Sequence, residues 1–187
     1  RIVLAIFDTV GLRFNYQNLD VFETNGVNLR AELRWEDWLE INSGFAYTRL
    51  YNFWSEASDA PRFTALPELQ NELKISIPRT KVQAVFTHRY FGQQIRFFSN
   101  SAGEVEEGFI GSYQLLNGTL SSSFWKDRIF VAFGAKNILN TQTVPTSETG
   151  GGGAHSSVGN SVLLNWGRTY FVRLDVKLAK TNWRPIW

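Results

Sequence analysis

Alternation of apolar and polar residues runs through most of this chain, and a period of two is the signature of a β-strand whose two faces meet different surroundings. In TYFVRLDVKL at 169–178, Tyr170, Val172, Leu174, Val176 and Leu178 share one face, and Thr169, Arg173, Asp175 and Lys177 share the other, with Phe171 the one misfit. Segment 27–35 sets Val27, Leu29, Ala31, Leu33 and Trp35 against Asn28, Arg30, Glu32 and Arg34, and 70–77 sets Leu73, Ile75 and Ile77 against Gln70, Glu72, Lys74 and Ser76. Weaker alternation over 2–17, 39–51, 81–91, 112–124 and 128–138 brings the total to eight candidate strands. Several reach the roughly ten residues that a tilted strand needs to cross a bilayer, whereas no apolar run approaches the roughly 18 residues of a membrane-crossing helix.

The connections narrow the fold further. WEDW at 35–38, IPRT at 77–80 and WKDR at 125–128 are tight turns, whereas 52–68, 92–111 and 139–167 are long. Successive turns of an antiparallel up-and-down barrel emerge at alternate ends, so this order gathers the short turns on one rim and the long loops on the other. The expectation is an all-β, antiparallel, up-and-down transmembrane barrel with about eight strands present, occupying residues 1–178 and followed by a tail or strand end at 179–187.

Aromatic residues fall where such a barrel meets lipid headgroups. Trp35, Trp38 and Trp125 lie at short turns, and Tyr47, Tyr51, Trp54, Tyr90, Phe91, Trp166 and Tyr170 lie toward the opposite rim. The same rings could also serve as the core of a soluble sandwich. If the apolar face meets lipid, the charged face lines the lumen, with Arg30, Glu32, Arg34, Glu40, Glu72, Lys74, Arg89, Arg173, Asp175 and Lys177 on it. Mixed charge of this kind suits a wet or a plugged interior, and equally the solvated face of an ordinary sheet.

Composition excludes several function classes. With 43% hydrophobic, 15% aromatic and 19% charged residues the chain is not a disordered polymer, and a net charge of +2 gives no nucleic-acid footprint. There is no Cys, which removes disulfides, thiolate metal sites and thiol nucleophiles. His88 shares a face with Val82, Ala84, Phe86 and Tyr90 and is expected to be a rim or aromatic-packed residue, while His155 stands in a Gly-rich loop without a second His. Glu104, Glu106 and Glu107 form an acidic loop tip, Ser121, Ser122 and Ser123 lack a nucleophile elbow, and Gly150 to Gly153 precede no helix that would cradle phosphate. No catalytic set, metal site or cofactor is implied.

Particular strings add a resemblance. YQNLDVFETNGVNLRAELRW at 16–35, PELQNELKISIPRTKVQAVFTHRYFG at 67–92, SYQLLNGTLSSSFWKDRIFVAFGAKNILN at 112–140, KNILNTQ at 136–142 and the closing GGAHSS with WGRTYFVRLDVKL at 152–178 resemble, in order and spacing, the carboxy-terminal strands of TonB-dependent outer-membrane receptors. Within that family the likeness is to receptors for ferric siderophores and related ligands. The resemblance implies a barrel of about 22 strands around an amino-terminal plug, in the outer membrane of a Gram-negative bacterium, fed with energy by an inner-membrane complex acting through the plug. It also implies partners beyond lipid: the plug and remaining strands upstream, and a surface lipoprotein on the long loops. No plug and no energy-coupling box stand in this sequence, so the chain is expected to be one section of such a receptor. At its end, Trp187 either supplies the terminal aromatic of the last strand or belongs to a short tail with Trp183.

On this reading the ligand meets aromatic or basic residues near the long loops, and Trp54, Arg62, Arg89, Arg96, Phe97 and Phe98 are the candidates, since ring platforms and guanidinium forks suit aromatic or anionic ligands. Three alternatives stand beside it: a self-contained eight-stranded barrel with a structural or adhesive role, a barrel-type enzyme for which no acid, base and nucleophile set exists, and a soluble sandwich.

Overall fold

A computed structural model of the protein describes residues 2–8, 13–19, 22–56, 58–99, 103–147 and 161–178, with side chains for those from 22 onward except 98 and 99. His155, Gly150 to Gly153 and the 179–187 tail with Trp183 and Trp187 lie outside the described residues. The strands are β1 (Ile2–Asp8), β2 (Arg13–Leu19), β3 (Thr24–Trp35), β4 (Leu39–Tyr51), β5 (Phe63–Ser76), β6 (Val82–Phe91), β7 (Gln94–Ser99), β8 (Val105–Ile110), β9 (Tyr113–Phe124), β10 (Ile129–Lys136), β11 (Thr143–Pro145), β12 (Ser161–Leu163) and β13 (Thr169–Val176), with one turn of 3-10 helix at Phe53–Glu56.

Seven strands form one antiparallel sheet in the order β13-β10-β9-β6-β5-β4-β3, and β1-β2, β7-β8 and β11-β12 are separate hairpins. The sheet is a meander. Its short turns, at 36–38, 77–81 and 125–128, share one end. The 3-10 turn, the β7-β8 hairpin and the β11-β12 hairpin all interrupt connections at the other. Tight turning without glycine puts Glu36, Arg79, Trp125, Lys126 and Asp127 at positive φ.

Three expectations change. The single strand expected over 2–17 is two strands in a hairpin, with Asp8 opposite Arg13; a fold-back that preserves alternation on both arms leaves no trace in the periodicity. The strand expected over 70–77 begins at Phe63, so the connection before it covers only 52–62. Pro67 sits inside this strand at little cost, because its carbonyl accepts from Gly92 N–H at 2.8 Å on the β6 side, and the amide hydrogen that proline lacks would point to that same side, just past the last β5–β6 pair, Glu68 with Phe91. Finally, the expected strands do not close a barrel: seven form the sheet, and β3 and β13 are its two edges, unpaired with each other.

The register divides the side chains cleanly. One row runs Trp35, Leu39, Ile75, Ala84, Leu120, Phe133, Val172, and the next runs Leu33, Ile41, Leu73, Phe86, Gly118, Ala135, Tyr170. These rows form a continuous apolar face. Arg30, Glu32, Arg34, Glu72, Lys74, Arg173, Asp175 and Lys177 lie on the opposite face, where Arg34 pairs with Glu32 at 2.6 Å, Lys74 with Glu40 at 3.6 Å and Arg173 with Asp175 at 2.8 Å. Phe171, the misfit of the sequence pattern, also lies there, directly opposite Gly134, where its ring fills the space a Cβ would occupy.

A sheet one layer thick has almost no core. Among the described residues only Ala132 and Val144 are buried apolar side chains, whereas Leu29, Val172 and Leu174 are each more than 60% exposed. Among the described residues no second layer of protein covers the apolar face, which is the arrangement a lipid-facing wall requires. Trp35 and Trp125 mark its short-turn end, with Trp38 half-buried in the β3–β4 turn, and Tyr47, Tyr90, Tyr170 and the almost fully exposed Trp166 mark the other. Phe91 does not join that rim, because alternation turns it to the polar face.

One polar line crosses the apolar face. Ser43 Oγ donates to Asn71 Oδ1 at 2.5 Å, Asn71 Nδ2 to His88 Nδ1 at 3.3 Å, and His88 Nε2 to Gln114 Oε1 at 3.0 Å, linking β4, β5, β6 and β9. His88, expected to be a rim or aromatic-packed residue, is thus a link in a hydrogen-bonded chain on the apolar face.

Two stability predictions follow from this wall. Leu73→Arg, two residues from the middle of the apolar band, should cost about 2–4 kcal/mol in urea unfolding from lipid vesicles, and Glu72→Gln on the polar face should cost much less. Asn71→Ala strips a partner from both Ser43 and His88 and should cost about 1–2 kcal/mol. The triple variant Ser43→Ala, Asn71→Leu, His88→Phe should recover most of that loss; a triple variant weaker than Asn71→Ala would refute the hydrogen-bond account.

Candidate functional site

The long-loop end carries the most specific construction in the molecule. The 92–112 insertion, which holds the β7-β8 hairpin, is fastened at both roots by a glycine amide on a proline carbonyl: Gly92 N–H to Pro67 O at 2.8 Å, and Gly111 N–H to Pro145 O at 2.7 Å. Each glycine lies so close to that proline that an added Cβ would collide with its ring. The second clamp ties the first insertion to the second. Ile110 bridges to Thr146, the Thr146 hydroxyl donates to Phe109 O at 2.9 Å, and Phe109 N–H donates to Ser147 Oγ at 2.7 Å. The β7-β8 and β11-β12 hairpins are therefore one joined structure.

The root of the second insertion is built by the KNILN string. Asn137, 2% exposed and at positive φ, donates to Thr141 O and accepts from Thr141 N–H, both at 2.9 Å, while its own N–H is held by Asn117 Oδ1. Asn140 Oδ1 accepts the N–H of Arg168 at 3.1 Å, and Arg168 Nε donates to Ile138 O at 3.0 Å. Gly167 at positive φ packs so tightly on Gln142 that a Cβ would come within 2.6 Å of its amide. KNILN and WGR, far apart in sequence, are thus two halves of one hydrogen-bonded corner.

Beneath the joined hairpins lies a cavity of about 320 Å³. Leu66 and Glu68 of β5, Phe91 of β6 and Tyr113 of β9 enter it from the polar face of the sheet, Gln94, Arg96 and Ile110 from the first hairpin, and Val144, Val162 and Leu164 from the second insertion. Phe91 and Tyr113 stack with centroids 4.7 Å apart and planes 21° from parallel, and the Arg89 guanidinium lies 5.7 Å from the centre of the Phe91 ring.

The six residues proposed from sequence for ligand contact are not one cluster. Arg96 lines the cavity, and Arg89 lies behind its aromatic pair. Phe97 follows on β7 with its side chain on the other side of the hairpin from Arg96, and the Phe98 side chain lies outside the described residues. Trp54 and Arg62 belong to the 52–62 connection instead. There Arg62 pairs with Glu23 at 2.8 Å and lies over Tyr51 and Phe63, and the Arg49 guanidinium is 4.6 Å from the Phe63 ring centre. Tyr51, beyond the Tyr47 ring and outside the membrane-crossing segment, donates its hydroxyl to Glu56, and that bond raises its pKa above the ordinary phenol range, with burial and the carboxylate charge adding to it.

A search for ring platforms and guanidinium forks overlooks the aliphatic wall. Its sequence signals are faint: Val144 beside Pro145, and the apolar run VLL at 162–164 after a Gly- and Ser-rich stretch. Among the described residues no group of three or more His, Asp or Glu side chains could hold a metal ion.

An up-and-down sheet with one lipid-facing wall, one charged wall, short turns at one end and folded insertions at the other defines an outer-membrane barrel protein. The model of the outer membrane protein beta-barrel family matches residues 6–162, and the chain belongs to that family. No curated protein and no solved structure matches it. The protein is therefore an outer-membrane protein, and its apolar face contacts lipid.

The Asn137 corner gives a direct test. Asn137→Ala leaves the Thr141 N–H and carbonyl without partners in a buried site and should cost about 1–3 kcal/mol. Limited proteolysis should then cut within 137–168 much faster than in the parent protein, and Asn137→Gly, which keeps the positive φ alone, should not restore protection.

Proposed function

We propose that this chain is a strand section of an outer-membrane receptor of the TonB-dependent kind, which captures a scarce ligand such as a ferric siderophore at its outer mouth and passes it through a plugged lumen. The observation that carries this reading is the pair of joined insertions folded over the charged face, enclosing a cavity where the long loops stand. A purely structural barrel has no need of that construction. The two unpaired edges lend further support, because a sheet edge in hydrocarbon leaves a row of backbone groups unsatisfied. Additional strands on β3 and β13 would complete a larger barrel, and the edges weigh against a self-contained eight-stranded one.

In this reading the protein is not an enzyme. Uptake draws on an inner-membrane complex acting through a plug domain, and the exposed outer hairpins offer a surface to a lipoprotein lid. The charged lumen wall, with Arg34, Glu40 and Lys74 in mutual reach, suits contact with a polar plug.

The test is uptake by the intact receptor in cells limited for the ligand. Arg89→Ala combined with Arg96→Ala should lower ligand affinity by about tenfold or more, the scale of a lost charge-assisted contact, with unchanged receptor abundance. Unchanged affinity would remove these two residues from the site. An intact mass near 21.4 kDa for the polypeptide in its source membrane, with no companion chain, would overturn the larger-receptor reading.

A further inference from the structure

We infer that the cavity beneath the joined hairpins binds a flat, apolar, ring-sized group carrying an anion, so that the ligand class of this mouth is an aryl acid or a larger molecule that presents one. The inference rests on the reading of the long-loop end as a ligand-binding mouth, and it specifies the chemistry.

Three features converge on it. The cavity is closed on one side by the stacked Phe91 and Tyr113 rings, and facing them are Ile110, Val144, Val162 and Leu164, side chains that offer a ring dispersion contact and no hydrogen bond. Its volume of about 320 Å³ lies at the small end of ligand pockets and suits one or two fused rings. A sugar or a hydroxamate would lose its hydration to this aliphatic wall without compensation.

The anion follows from the charges that border the cavity, Glu68 and Arg96. Glu68 lies opposite Phe91 and diagonal to Arg89 on the same strand face, with no ion pair between the two among the described residues. Among the described residues Arg96 has one side-chain partner, the neutral Gln94 at 3.4 Å, and no ion pair within 4.0 Å. A guanidinium at the lip of an apolar slot is a fork for a carboxylate or sulfonate attached to the buried ring.

The probes are 2-naphthoate and its neutral isostere 2-naphthylmethanol, measured by equilibrium dialysis against the intact protein in detergent, with protein-free micelles as the reference. Saturable binding of the acid is expected, about tenfold tighter than the alcohol, as one charge-assisted contact implies. Arg96→Ala should abolish the preference while the alcohol binds as before. Val144→Trp, which fills the slot, should remove saturable binding of both. Because Val144 is buried and its replacement can misfold, Val162→Glu at the more open wall is the second variant and should weaken the acid about tenfold or more through charge repulsion and lost apolar contact.

Equal affinity for acid and alcohol in the parent protein would overturn the anion assignment. Binding untouched by Val162→Glu, or by a folded Val144→Trp, would overturn the cavity assignment. Iron-limited cells that gain nothing from the receptor, while naphthoate still binds and obeys these variants, would sink the transport reading and leave this inference standing.

Discussion

In hydrocarbon a backbone amide has no water to turn to, and every N–H and C=O of a membrane-crossing segment must be paired along its own ladder. The five inner strands of the meander meet that demand on both sides, from Trp35 opposite Leu39 to Ile129 opposite Val176, whereas β3 and β13 are paired on one side only. Stability here comes from ladders and from lipid contact in place of a protein core, which is why so few apolar side chains are buried and why the exposed ones gather on one face. Pro67 is accommodated at the point where the β5–β6 ladder ends.

The lipid-facing line of Ser43, Asn71, His88 and Gln114 obeys the rule at the level of side chains. Four polar groups stand on an apolar wall, joined by three hydrogen bonds that each cross to the neighbouring strand, so they partner one another within the sheet. The two close glycine–aromatic pairs, Gly134 with Phe171 on the charged face and Gly118 with Phe86 on the lipid face, show the complementary device: where a strand lacks a side chain, the ring across the ladder fills the gap.

At the long-loop end the constraint relaxes, since water can satisfy the backbone, and there the chain builds shape. The two Gly-to-Pro clamps fix where the first insertion leaves and rejoins the sheet, and the Ile110–Thr146 bridge makes the second insertion part of the same lid. An apolar cavity results because residues turned away from lipid at the ends of β5, β6 and β9 meet the undersides of the hairpins. Arg62 and Trp54 stand apart from it, in the 52–62 connection, although in sequence they look as eligible as Arg96.

Much of this was legible in the chain itself. Alternation over 27–35 and 169–178 assigned Arg30 and Asp175 to one face and Leu29 and Val172 to the other, and the order of short and long connections set which rim holds the insertions. Those are local properties: periodicity reads one strand at a time, and turn length needs no knowledge of what lies across the sheet. The split of 2–17 into two strands, the entry of 63–69 into β5, and the absence of closure between β3 and β13 depend on which segment pairs with which. So does the cavity, whose walls come from residues 66 to 164 and meet only through bonds such as Phe109 to Thr146 and Gly111 to Pro145. Sequence determined the two faces and two ends, because the pleat and the turn impose them residue by residue; tertiary structure alone decided what the long loops enclose, because that rests on contacts between residues dozens of positions apart.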